Sequence, residues 1–85
     1  MTSYRVAVHI LPRQGVFDPQ GHTVVGALHS LGFDDVNDVH IGRHIVVDTD
    51  APSTDAAREI VRSMCERLLA NPVIEDFEIA SITNR

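Results

Sequence analysis

Five histidines are the residues of this chain best suited to chemistry, because imidazole ligates metals and moves protons near neutral pH. His22 and His29 fall two turns apart in a helical pattern, about 10 Å along the axis, too far to share one ion. His40 and His44 sit four residues apart in an extended pattern, about 13 Å, which is again too far. His9 occupies an outward strand position and could approach one of that pair across a sheet, with Asp38 or Asp48 completing a site. Polar residues on a solvated or subunit-covered face account for the same positions more simply. No metal site is expected.

The remaining candidates are weaker. Asp34, Asp35 and Asp38, and the run Asp48-Thr49-Asp50, could hold Mg²⁺ only weakly. They lack a glycine-bearing loop, a phosphate cradle and a glutamate at calcium-loop spacing. Ser30, Ser53, Ser63 and Ser81 lie in ordinary helix, cap or strand contexts, and none forms a nucleophile elbow. Cys65 is the only cysteine, so no intrachain disulfide forms. Without a second cysteine at Cys-x-x-Cys spacing or a local base it reads as a small apolar residue in a reducing compartment. The chain has no lysine, which removes Schiff-base and P-loop chemistry. No catalytic residue is expected, and a chain this quiet is better suited to fitting a partner than to running a reaction.

The elements that would position these groups follow from size and periodicity. Eighty-five residues make one domain, 1–85, which buries only roughly 60–65% of its unfolded surface. With no disulfide available, self-association is the expected supplement. Net charge is −5, and the arginines Arg5, Arg13, Arg43, Arg58, Arg62, Arg67 and Arg85 are scattered, which disfavours nucleic-acid binding. No apolar run approaches the ~20 residues of a membrane span, and no signal peptide precedes Tyr4. A cytoplasmic, soluble protein is expected.

Tyr4 to Leu11 alternates, with Val6, Val8 and Ile10 facing one way and Arg5, Ala7 and His9 the other, and Pro12 closes this strand. Asp18 is an N-cap and Pro19 the first residue of a helix over 19–31, with Val24, Leu28 and Leu31 as its stripe. Gly32 stops it in the left-handed region, and Phe33 can fold back onto the last turn. Val36 to Thr49 reads as extended. Val39, Ile41, Ile45 and Val47 share parity, which favours one long strand bent or bulged at Gly42 over a hairpin there. Ser53 or Thr54 caps a second helix whose stripe is Ala57, Val61, Met64 and Leu68, with Ile60 and Leu69 alongside, and Asn71-Pro72 ends it. Val73 to Ile82 is the last strand. The order βαβαβ predicts an α+β fold with both helices on one face of a small, mainly antiparallel sheet, a relative of ferredoxin-like folds with a long bent central strand. The other sheet face needs polar residues or a partner.

Four blocks carry a resemblance that covers nearly the whole chain in order and spacing. They are Asp18-Pro19-Gln20-Gly21, Ala27-Leu28-His29-Ser30-Leu31-Gly32-Phe33, Val39-x-Ile41-Gly42-Arg43, and Met64-Cys65-Glu66-x-Leu68-Leu69-Ala70-Asn71-Pro72-Val73-Ile74-Glu75-Asp76-Phe77. Together they resemble the PurS family, the small subunit of phosphoribosylformylglycinamidine synthase. Arg13-Gln14-Gly15, His22-Thr23 and the tail from Ser81 depart from the pattern. The resemblance implies a non-catalytic subunit in purine biosynthesis, between a glutaminase that releases ammonia and a large synthetase that uses ATP and Mg²⁺. It implies no cofactor in this chain, assistance to ammonia transfer, and self-association to a dimer or tetramer.

Within that role the exposed motif positions are the expected partner-binding residues. Gln20 and Gly21 offer backbone at a helix start, Arg43 offers a forked donor at the strand bend, and Asn71, Pro72, Glu75, Asp76 and Phe77 form a stiff corner. Helix capping explains Asp18 and Pro19 but leaves Gln20 and Gly21 unexplained, so replacing both with alanine is expected to weaken assembly and leave the isolated fold intact. Two other classes remain open on the residues alone: an ACT-like regulatory domain binding a small ligand, and a small metal-binding protein using the outward histidines.

Overall fold

The alternating residues of the first segment form the strand at the centre of the sheet. A computed structural model describes residues 1–85. It comprises β1 (Thr2–Pro12), α1 (Pro19–Ser30), β2 (Arg43–Ala51), α2 (Thr54–Met64) and β3 (Glu75–Asn84). The strands are ordered β2-β1-β3. Both neighbours run antiparallel to β1. The α+β class, the element order and the antiparallel sheet are those expected from the sequence.

Period-two alternation sets the two faces. Tyr4, Val6, Val8 and Ile10 are buried on one side, where Ile45, Val47, Phe77, Ile79 and Ile82 join them. A bulge on β3 opposite Ala7 and Val8 keeps Ile79 and Ile82 on that side despite their odd spacing. The helix α2 covers this face. Ser53 caps it by accepting a hydrogen bond from the Ala56 amide at 3.1 Å, and Ala57, Val61, Cys65 and Ala70 complete the core.

Three expectations are corrected. First, α2 does not continue regularly: Cys65–Leu69 is a π-helical turn, closed by the Ala70 amide donating to the Cys65 carbonyl at 3.0 Å. The wider turn moves the buried stripe from Cys65 to Ala70, so Leu68 is turned out to 82% exposure rather than into the core. Second, Val36 to Thr49 is neither one strand nor a hairpin. The ladder begins at Arg43, and the residues before it run past the end of β1 without pairing. Gly42 marks the boundary, because a Cβ there would collide with the backbone carbonyl of Ile10. The strand that follows is an edge of the sheet, not its centre.

Third, α2 alone packs on the sheet. The helix α1 lies beyond it and buries only Gly21. Its ends match the expected signals: Asp18 caps it, Gly32 sits at φ 97°, and the Phe33 amide donates to the Leu28 carbonyl at 3.0 Å. The apolar stripe, by contrast, is covered only in part: Val24 and Leu28 are half-buried, and its C-terminal end is bare. Leu31 is 74% and Phe33 57% exposed. The molecule is a plate of 52 × 26 × 14 Å with a radius of gyration of 16.3 Å, against about 12 Å for a compact chain of this length.

Candidate functional site

The residues expected to meet a partner fall into two places. The first is the corner where the π-helical turn gives way to β3. Arg43, first residue of β2, donates through Nη2 to the Leu69 carbonyl at 3.0 Å and to Glu75 Oε1 at 2.6 Å. Glu75 Oε1 also accepts from the Asn71 amide at 2.8 Å, and Asn71 Oδ1 accepts from the Val73 amide at 3.0 Å. One guanidinium thus satisfies a carbonyl left free at the helix end and fixes the carboxylate that organises the turn. Pro72 and Asp76 are exposed, whereas Phe77 is half-buried against the core. Arg13, which sequence reasoning passed over, closes the other side: its Nε lies 3.3 Å from Asp76 Oδ1, and its amide donates to the Ile74 carbonyl at 2.8 Å. Only a fold that runs the end of β1 beside the start of β3 brings Arg13 here, so no local signal marked it.

Gln20 and Gly21 lie apart from this group, on the α1 arm. Gln20 is exposed in the first turn. Gly21 is buried, its amide donates to Asp18 Oδ1 at 3.0 Å, and a Cβ on it would strike the Val39 carbonyl oxygen. The fold therefore does require Gly21, and the expectation that its replacement leaves the isolated chain intact is withdrawn. Asp18 does more than cap: its second oxygen accepts from the Ile41 amide at 2.8 Å and ties the 37–42 segment to the helix start. His29 ties the opposite end, with Nε2 2.9 Å from the Val36 carbonyl.

The hydrogen bonds from the Ile41 and Gly21 amides, with His40 nearby, hold the Asp18 carboxyl below the usual range. A depressed carboxylate adds stability that is complete above its unfolded value, about 3.9, and is lost as pH falls through the lower folded value. Asp18→Asn is accordingly expected to lower the unfolding midpoint at pH 7, with the gap from the unaltered chain closing in acid below about pH 4. Thermal unfolding followed across that range measures it, and a gap independent of pH would contradict the tie.

The outer sheet face is polar and uncovered. Arg5 pairs with Asp48 at 2.9 Å, and Arg85 reaches the same carboxylate at 3.6 Å. The Arg5 hydrogen bond holds the Asp48 carboxyl below its usual range. His9 stands opposite His44, with ring centroids 5.0 Å apart, and its Nδ1 is 3.8 Å from Glu78. His40 instead pairs with Asp38 at 3.3 Å. No three His, Cys, Asp or Glu side chains converge on a geometry that would hold a metal ion. Cys65 is buried, and burial, then the neighbouring Glu66, pushes its thiol up, away from the reactive thiolate. No helix is long and apolar enough to cross a membrane.

This combination of a tied arm, a locked corner and a quiet surface has counterparts among known proteins. The family model described as PurS, phosphoribosylformylglycinamidine (FGAM) synthase, matches residues 5–83. The chain belongs to the PurS family. Among its PurS relatives, the phosphoribosylformylglycinamidine synthase subunit PurS of Bacillus subtilis is 42% identical over 74 residues, covering 87% of each chain. The same subunit from Methanocaldococcus jannaschii is 40% identical over 76 residues, covering 89% of this chain and 92% of that one. The B. subtilis PurS crystal structure superposes with a TM-score of 0.80 at 40% identity over 94% of this chain and 98% of that one. A chain of the PurLQS structure from Thermotoga maritima gives a TM-score of 0.83 at 30% identity, with 100% of both chains covered. The elongated plate with its outlying helix is thus a PurS shape.

Proposed function

We propose that this PurS-family chain is the non-catalytic small subunit of a phosphoribosylformylglycinamidine synthase, joining the glutaminase and large synthetase subunits and assisting ammonia transfer between them. The family match carries the reading, and the similar T. maritima chain comes from a structure of PurLQS. The chemistry belongs to the partners: the glutaminase hydrolyses glutamine, and the synthetase uses ATP and Mg²⁺. Ammonia stays a nucleophile only while unprotonated, and a closed route keeps it from bulk water at high local concentration. A small plate with locked corners can hold two active sites in register without reacting itself. Its place is the cytoplasm, where nucleotide synthesis runs. No observation favours the ACT-like alternative. Mixing the three purified chains tests the assembly: glutaminase and synthetase should co-elute in its presence and separate in its absence. Co-elution that ignores it would overturn the bridge.

Self-association, to a dimer or tetramer, completes the proposal. The chain exposes 5934 Å², about 900 Å² more than a compact protein of its mass. That excess is close to the roughly 800 Å² each partner buries in a standard interface. The exposed end of the α1 stripe, Leu31 with the neighbouring Phe33, is the natural place for such an interface. Leu31→Asp, at an exposed position the single chain does not need, is expected to weaken association at least ~10-fold, equivalent to about 1.4 kcal/mol. Sedimentation velocity over a concentration series reads this directly, and an unchanged oligomer would contradict the placement.

A further inference from the structure

Strand register does what spacing along the chain could not: it sets His9 directly opposite His44, where cross-strand Cβ atoms stand about 4.5–5.5 Å apart. The two ring centroids are 5.0 Å apart, with the ring planes inclined at 48°. An ion bound at about 2.1 Å to one nitrogen of each ring, with the nitrogens about 90–109° apart around it, spaces the centroids by about 4.5–5.2 Å. The pair therefore already has the separation of two imidazoles that share one ion. Glu78 faces His9 from the other neighbouring strand, its Oε1 3.8 Å from Nδ1, which leaves Nε2 of His9 as the nitrogen for the ion. A carboxylate at the far nitrogen is the support that metal-bound histidines generally have. The other three histidines are engaged elsewhere: His22 stacks on Phe17 with centroids 5.6 Å apart, His29 reaches the Val36 carbonyl, and His40 pairs with Asp38. No hydrogen bond or ion pair claims the His44 ring.

We propose that His9 and His44 together bind one Zn²⁺, with Glu78 orienting His9 and water filling the remaining positions. Both rings stand on the uncovered outer face of the sheet, so the ion and its waters enter from solvent. Imidazole is a donor that suits zinc, whereas Mg²⁺ keeps oxygen ligands. The arginines that could repel a dication are engaged, Arg5 and Arg85 by Asp48 and Arg43 by Glu75. Cys65, the one thiol that could compete for the ion, is buried. Two protein ligands make an open site, with fewer than the three or four of dedicated zinc centres. The bound ion would clip the edge strand β2 to the central strand β1, and because only the folded chain brings the two rings together, binding favours the folded state.

The test titrates Zn²⁺ alone into the full, untagged chain by calorimetry and follows thermal unfolding with and without the ion. One Zn²⁺ per chain should bind and raise the unfolding midpoint. His9→Gln and His44→Gln should each weaken binding at least ~10-fold and Glu78→Gln by a smaller factor, while His22→Gln, on α1, should leave it unchanged. Equal unfolding midpoints of these variants and the unaltered chain in the presence of a chelator show that the fold is kept. Binding should weaken as pH falls through about 6.5, where imidazole takes up a proton, and Mg²⁺ in place of Zn²⁺ should give no binding heat. The absence of saturable Zn²⁺ binding, or binding that survives both histidine substitutions, would overturn the site. One Zn²⁺ for every two chains would make the ion a bridge between copies and also overturn it. None of these readouts involves the other two subunits, so the outcome is independent of the bridging role.

Discussion

Gly21→Ala is expected to destabilise the chain by about 1–3 kcal/mol, because the added methyl meets a backbone carbonyl that has no rotamer by which to yield. That carbonyl belongs to Val39, in the segment Asp18 ties to the start of α1. Either the helix start lifts, costing the Gly21 and Ile41 hydrogen bonds, or the 37–42 segment moves and drags the end of β1 through Gly42. Gly26→Ala is the matched control. It sits in the same helix with open space where its Cβ would go, so it should stabilise the chain by roughly 0.5–1 kcal/mol. Urea unfolding of both variants, with hydrogen exchange at the Ile41 amide, separates them. A Gly21→Ala midpoint at or above that of the unaltered chain would mean that the close approach to Val39 is not maintained.

Ile10→Ala is expected to cost about 2–5 kcal/mol. Ile10 is among the largest fully buried side chains in a core of nine apolar residues. It lies on the central strand opposite Phe77, so the cavity it leaves opens inside the buried face of the sheet. A domain of this length has a total stability of roughly 4–13 kcal/mol, so the variant removes a large share of it. Leu68→Ala, at an equally apolar but exposed residue, should stay within about 0.5 kcal/mol for the isolated chain. The comparison must be made at fixed protein concentration, since folding and association are linked. Near-equal midpoints for Ile10→Ala and the unaltered chain would contradict the assignment of the core.

Much of this architecture was legible because it depends on local signals. The alternation of Tyr4 to Leu11 marked the core strand, while Asp18, Pro19, Gly32 and Ser53 marked the helix ends. What was misread depends on contacts that periodicity does not carry. Shared parity from Val39 to Val47 shows where side chains would point in a strand, but not whether a neighbour extends far enough to pair with it. The stripe of α1 says that the helix has an apolar side, but not that Val24 and Leu28 are half-buried while Leu31 stays bare. The π turn that rotates Leu68 outward is a step of one residue, invisible to a pattern read at constant pitch. In the candidate site, Arg43 and Glu75 are 32 residues apart, and only the closed fold joins them. Gly21 was read as available for docking because its Cβ-sized contact, Val39, lies 18 positions away in an irregular segment.

A chain that joins two active sites without contributing chemistry should affect one nitrogen source and not the other, and a single assay reads that directly. Glutaminase and synthetase subunits are combined with and without this chain, and synthesis of the amidine product is followed with glutamine and, separately, with free ammonia. Omitting the chain should abolish glutamine-dependent synthesis and leave ammonia-dependent synthesis standing. Glutamine-dependent synthesis that persists without the chain, or an equal loss of both activities, would contradict the bridging role.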